Sequence, residues 1–242
     1  LFRVAGIYSP DGQRYTPVDA DSLNTYREAK DGQILQEGIC EAGAIASFIA
    51  AGTAYATFGV PTIPFYIFYS MFGFQRVGDM IWAAADMMTR GFLLGGTAGR
   101  TTLNGEGLQH QDGHSPILAS TVPCIRSYDP SFPYEVAALV AYGIHRMFIE
   151  QHDEFYYLML YNQNQTVPAR PESATEDAIV RGGYCLEPTA GTGPAVHLLG
   201  SGAILSEVLT AAAELRQEGY AVAVFSITSY IKLAREAEHW ER

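Results

Sequence analysis

Glu41 heads a run in which no charged residue occurs from Ala42 to Gln75. A carboxylate beside so apolar a stretch is costly unless a specific group meets it. Two readings are open. As a first-turn acid it would complement the positive end of a helix dipole. As a chemical group it would bind a ligand or exchange a proton with it. Glu37, four residues earlier, competes for either role.

A second concentration of chemistry is Asn104-Gly-Glu-Gly-Leu-Gln-His-Gln-Asp-Gly-His-Ser115. It sets acids, amides and two imidazoles in a glycine-rich frame. His110 and His114 are four apart, a spacing that binds zinc on a helix. The glycines argue against a helix, and no third strong ligand is placed. Acid/base work or substrate hydrogen bonding is therefore favoured over metal, because imidazole titrates near neutrality. Two solvated loop histidines are the bland alternative. Phe65, Tyr66, Phe68, Tyr69, Phe72 and Phe74 could stack a planar ligand or simply fill a core.

Gly200-Ser-Gly202 mimics a dinucleotide-binding turn, but Leu205 replaces the third glycine and no acid closes the next strand. Cys40, Cys124 and Cys185 are widely spaced and imply no disulfide framework or zinc pattern, so a reducing compartment, the cytoplasm, is expected. Nothing basic flanks Cys40, which reads as a structural thiol rather than a nucleophile.

The elements that must position these groups follow from periodicity and breakers. Residues 1–17 read as an arm and 19–30 as a short polar helix. A possible short strand follows at 34–35. Residues 38–55, nearly all small and apolar, predict a helix packed on several sides. Strands are expected at 62–69, 91–96, 124–127 and 155–161, and helices at 71–89 and 134–150. Within 71–89, Phe72, Val77, Ile81, Trp82 and Ala85 are the expected core positions. Residues 97–123 form a long loop, and a loop that long in a compact domain is usually functional. Residues 168–188 read as a connector before a βαβ unit at 195–199, 203–217 and 221–227.

Alternating strands and helices imply an α/β fold with a parallel sheet covered on both faces. The 242 residues, 48% hydrophobic and 17% charged, suit a well-buried core. A net charge of −11 disfavours a nucleic-acid partner. Gly52, Gly59, Pro61 and Pro64 interrupt the apolar run, which argues against a membrane span. The chain begins at Leu1 and stops at His239-Trp-Glu-Arg242, just after a strand-like run, and so reads as a piece of a longer protein.

Four segments carry a resemblance: Ile7-Tyr-Ser-Pro-Asp-Gly-Gln, Gly32-Gln-Ile-Leu-Gln-Glu-Gly-Ile, Ile63-Pro-Phe-Tyr-Ile-Phe-Tyr-Ser-Met-Phe-Gly-Phe-Gln-Arg and Gly99-Arg-Thr-Thr-Leu-Asn-Gly-Glu-Gly-Leu-Gln-His-Gln-Asp-Gly-His-Ser. Together they closely resemble the homodimeric bacterial pyruvate dehydrogenase first component, the thiamine-diphosphate-dependent decarboxylating subunit. The similarity runs along the whole chain.

The resemblance implies a pyrimidine-binding domain at 31–170, a connector at 171–194 and the start of a transketolase C-terminal-like α/β domain at 195–242, preceded by an arm and first helix at 1–30. It implies that Glu41 binds the aminopyrimidine ring nitrogen, its setting fitting the family frame better than that of Glu37. Tyr69 and Phe72 would flank the ring. His110 would aid acyl transfer to a lipoyl group, with His114 a second candidate, and Glu106 would shape the loop. Gln111 departs from the acidic residue of close relatives. The ligands of Mg2+ and the diphosphate would lie in an N-terminal domain, since no Gly-Asp-Gly occurs here.

The implied substrate is pyruvate. The implied partners are the lipoyl domain of a dihydrolipoyl acetyltransferase and a second copy of the parent chain. By itself this segment would be inactive. The alternatives are another thiamine-diphosphate enzyme, such as a transketolase or other 2-oxo-acid dehydrogenase, and a non-catalytic truncated module.

Overall fold

The computed structural model describes residues 2–18, 26–99 and 106–241. The chain divides into two compact units, Leu1–Gly43 and Ala44–Arg242.

The first unit holds a helical turn, α1 (Phe2–Ala5), and two short parallel strands, β1 (Ile7–Tyr8) and β2 (Glu28–Ala29). Ile34 adds one parallel bridge to Ile7, so the strand expected at 34–35 is reduced to a single pairing. The polar helix expected at 19–30 lies partly outside the described residues, and its end is β2 instead.

Helix α2 (Glu41–Gly52) begins at the glutamate and continues into the second unit. It is shorter than the 38–55 expected. Thr53 interrupts it by turning its hydroxyl back onto the Ile49 carbonyl, and α3 (Ala54–Phe58) follows. Only Ile45, Phe48 and Gly52 are buried, a single stripe rather than packing on several sides. Ala42, Ala46 and Ala50 face out.

The main sheet is fully parallel, in the order β3 (Phe65–Tyr69), β4 (Phe92–Gly96), β6 (Phe155–Met159), β5 (Ile125–Tyr128). All five residues of β6 are buried, as a strand with neighbours on both sides and layers on both faces requires. Helix α4 (Phe74–Asp86) is kinked at Val77 and buries Phe74, Val77, Ile81 and Ala84. Val77 and Ile81 are core as expected. Phe72 belongs instead to the tight 3-10 turn Ser70–Phe72, and Trp82 is 49% exposed.

The stretch expected as one long loop contains a 3-10 turn, Leu108–His110, and helix α5 (Ser115–Ser120). Residues 100–105 lie outside the described residues. Helix α6 (Pro133–Ile144) precedes β6 and ends in a π turn.

The second sheet has the order β7 (Tyr184–Ala190), β9 (Ala221–Ser226), β8 (Ala195–Gly200). β8 and β9 are parallel around α8 (Leu205–Gln217), as the βαβ pattern predicts. The expected connector is not structureless. It contains α7 (Glu176–Arg181), capped by the Thr175 hydroxyl, and β7, which pairs antiparallel with β9. Nor does the chain stop after a strand, because α9 (Tyr230–Glu241) follows.

The two sheets are tied through the edge strand β5 and its flanks. Glu135, fully buried, accepts the Tyr184 and Ser226 hydroxyls at 2.7 Å each and the backbone N–H groups of Ser131 and Phe132. Arg235 on α9 donates to the carbonyls of Ile125 at 2.9 Å and Ser120 at 3.0 Å. Asp129, just past β5, accepts the hydroxyls of Ser201, at 2.8 Å, and Tyr161. Gly202 has φ of 51°, and a Cβ there would collide with Tyr161 and Asp129. The Gly200-Ser-Gly202 motif thus serves a close backbone approach between the sheets, not a dinucleotide.

Candidate functional site

Parallel α/β sheets place their ligands beyond the carboxyl ends of the strands, where the connecting turns diverge. β3 and β4 end together, with Tyr69 paired to Gly96. Beyond them three rings converge. Tyr69 and Phe72 have centroids 5.6 Å apart, and the His110 ring lies 5.3 Å from Tyr69 and 5.4 Å from Phe72. The Arg76 guanidinium covers Phe72 at 4.0 Å from the ring centre, a cation–π contact that holds the ring from α4.

The tight turn Ser70–Phe72 explains why Tyr69 and Phe72 share one side. Three residues per turn bring i and i+3 into line, so the last strand residue and the end of the turn meet. The Tyr69 hydroxyl donates to Glu106. Burial, together with that carboxylate, pushes the phenol above its ordinary pKa and keeps it a donor. His110 Nδ1 stands 3.6 Å from Glu106 Oε2, beyond a hydrogen bond, and is buried with no hydrogen-bond partner among the described residues. Such an atom is rare unless a ligand, water or function claims it. Thr97, just after β4, adopts φ of 57°, a conformation β-branched residues rarely hold and one that collects at functional sites.

Beneath the rings lies a buried polar chain. Ser70, Asp112 and Ser115 are each at most 1% exposed. The Ser70 hydroxyl donates to Asp112 Oδ2 and lies 3.3 Å from the Tyr157 hydroxyl. Asp112 Oδ1 accepts the backbone N–H groups of His114 at 3.0 Å and Ser115 at 3.1 Å. Burial alone would raise the Asp112 carboxyl. The bonds from Ser115, Ser70 and the two N–H groups outweigh it and hold the pKa below the usual carboxylate value. Gly95 on β4 makes room, since a Cβ there would sit 2.8 Å from the Tyr157 hydroxyl oxygen and 3.1 Å from Ser70 Oγ.

Of the residues singled out in the sequence, Tyr69, Phe72, His110 and Glu106 come together here. His114 does not join the rings; it precedes α5 with an exposed side chain. Glu41 is the first residue of α2 and half-buried, and Glu37 precedes the helix and is exposed. Among the described residues no group of three or more His, Cys, Asp or Glu side chains converges as a metal site, and no helix is long and apolar enough to cross a membrane. Asp112, Ser70 and Tyr157 were not legible as site residues. The one available signal was Asp112-Gly-His-Ser115, an acid three residues ahead of a Ser-Pro helix start.

The fold is that of a transketolase-like α/β protein. Transketolase from Leishmania mexicana superimposes with a TM-score of 0.66 at 19% identity, over 85% of this chain and 28% of that one. The family model of the pyruvate dehydrogenase E1 component middle domain matches residues 1–168, and that of the transketolase-like C-terminal domain matches residues 182–242. The chain belongs to the pyruvate dehydrogenase E1 component family. It is 54% identical to the pyruvate dehydrogenase E1 component of Pseudomonas aeruginosa over 247 residues, and 54% identical to that of Escherichia coli strain K12 over 245 residues. All of this chain is covered in both comparisons, but only 28% and 27% of those relatives, so the chain spans about a quarter of their length.

Proposed function

We propose that this chain supplies the aminopyrimidine half of a thiamine diphosphate site in a full-length pyruvate dehydrogenase (acetyl-transferring). The cluster of Tyr69, Phe72 and His110, whose Nδ1 has no hydrogen-bond partner among the described residues, carries the reading. An aromatic wall with an orphaned polar atom beside it fits a planar nitrogen heterocycle bearing polar substituents. When bound, the cofactor supplies the electron sink for loss of CO2 from a 2-oxo acid.

The residues of this chain then have separate tasks. Tyr69 and Phe72 hold the pyrimidine ring and exclude water from its faces. Glu41, in the first turn of α2, would meet the ring nitrogen and share a proton with it. His110 orients the acyl acceptor, the lipoyl group of the acetyltransferase partner. His114, exposed at the start of α5, is a second and more remote candidate for that surface. Mg2+ and the diphosphate are assigned to residues of the full-length protein outside this chain, and a second copy of that protein completes the site. The enzyme would work in the cytoplasm.

Two measurements test the reading. Calorimetry should show the full-length protein binding Mg–thiamine diphosphate at micromolar concentration and this chain alone binding far more weakly. Micromolar binding by the chain alone would contradict the half-site assignment. The full-length protein should turn over pyruvate in preference to branched 2-oxo acids, and the reverse preference would move it to another 2-oxo-acid dehydrogenase.

A further inference from the structure

His110 sits on a three-residue turn, Leu108–His110, with no side-chain cap. Its ring packs on Tyr69 and Phe72, but its Nδ1 makes no hydrogen bond among the described residues. Ring contacts of this kind contribute about 0.5–1.5 kcal/mol each and leave a ring free to slide. Something else must fix where the turn lies, and the nearest rigid connection is two residues further along.

Asp112 is 1% exposed and uses both carboxylate oxygens. Oδ1 closes the chain onto the N–H groups of His114 and Ser115, which fixes the exit of the turn into α5. Oδ2 accepts the hydroxyl of Ser70, the residue between Tyr69 and the rest of the turn that ends at Phe72. Ser70 is in turn within 3.3 Å of the Tyr157 hydroxyl on β6, the fully buried central strand. A second brace runs from Gln75 Nε2 to Ser115 Oγ at 3.3 Å. The histidine turn is therefore bonded through one buried carboxylate to the same backbone that carries the two rings.

We propose that Asp112 is a positioning residue, which sets His110 against the Tyr69–Phe72 platform through its bond to Ser70. The proposal rests on the reading of His110 as the group that serves acetyl transfer. A displacement of about 1 Å at such a group lowers a rate by as much as ~100-fold, whereas the ring platform is held by β3 itself.

The test uses the full-length protein loaded with Mg–thiamine diphosphate. Ser70→Ala removes the bridging hydroxyl but leaves both backbone bonds to Asp112. Asp112→Asn keeps the volume and the Oδ1 contacts but reverses the donor towards Ser70. Each variant should lose acetyl transfer to an isolated lipoyl domain about 10- to 100-fold more than it loses pyruvate decarboxylation with ferricyanide as electron acceptor. The KM for pyruvate should stay within about twofold. The double variant should be little worse than the worse single one, because both changes act on the same Ser70–Asp112 contact, one by removing the hydroxyl and the other by replacing the charged acceptor with an amide donor. Hydrogen exchange over residues 106–115 should quicken while the melting temperature is nearly unchanged.

Wild-type acetyl transfer in both variants, or equal loss of both half-reactions with a lowered melting temperature, would overturn the proposal. His110→Ala separates the two levels. If it abolishes acetyl transfer while the Ser70 and Asp112 variants do not, only the positioning role fails. If it leaves acetyl transfer intact, the reading of His110 fails and the positioning role with it.

Discussion

Phe72 shows how one side chain can be both core-like and available. It ends a strand-linked turn, is pinned from one side by Arg76 and touches Tyr69 and His110. If it forms one wall of the cofactor pocket, Phe72→Ala removes an aromatic face. The affinity of the full-length protein for thiamine diphosphate should then fall about tenfold, equivalent to ~1.4 kcal/mol. Tyr69→Phe, which keeps the ring and removes the hydroxyl with its bonds to Glu106 and Thr97, should bind the cofactor nearly as the wild type does. Calorimetric titration distinguishes the two, and equal losses in both variants would contradict the platform role.

At the scale of elements, the approach of the loop after β8 to the end of β5 sets a strict size limit. Gly202 combines a positive φ with the collision its Cβ would make. Gly202→Ala should destabilise the protein by about 1–3 kcal/mol, read as a lowered thermal midpoint, with cofactor affinity unchanged. The strands β4, β6 and β9 were legible as apolar runs, because a strand buried on both faces writes a continuous apolar word. β3 was legible by its aromatic residues, although it is an edge strand with Phe65 and Ile67 exposed. α9 was not. Five of its twelve residues are charged, and what docks it is the fan of bonds from Arg235 to backbone carbonyls, which no periodicity reveals. β7 was hidden for a related reason: Pro188 and Glu187 dilute its pattern, and its partner β9 lies beyond the whole of β8 and α8 in the chain. The ring cluster was half legible. Its aromatic residues stood out by type, but the Ser70–Asp112–Tyr157 chain exists only where three distant segments meet.

At the scale of the whole molecule, the seam between the two sheets of the larger unit should respond to pH through Asp129. Burial pushes its carboxyl up to about 6 against the pull of the Ser201 hydroxyl, and the nearby Glu135 adds to the rise. The native state thus holds the proton more tightly than the unfolded chain, whose carboxyl titrates near 3.8. The stabilisation from this group is complete below that lower value and is lost as pH rises through about 6. The thermal midpoint of the wild type relative to Asp129→Asn should therefore fall between about pH 4 and about pH 7. A constant difference across that range would contradict the assignment.

Glu41 opens α2 as the only charged residue of that helix. A half-buried acid at a helix start is compatible with a purely structural role, and the proton-sharing role is the claim that sets this chain's function apart from its fold. The most direct test is Glu41→Gln in the full-length protein, with pyruvate decarboxylation measured under saturating Mg–thiamine diphosphate. Glutamine keeps the size and a hydrogen bond but cannot exchange a proton, so kcat should fall at least ~100-fold. Decarboxylation at a near wild-type rate would contradict the central claim.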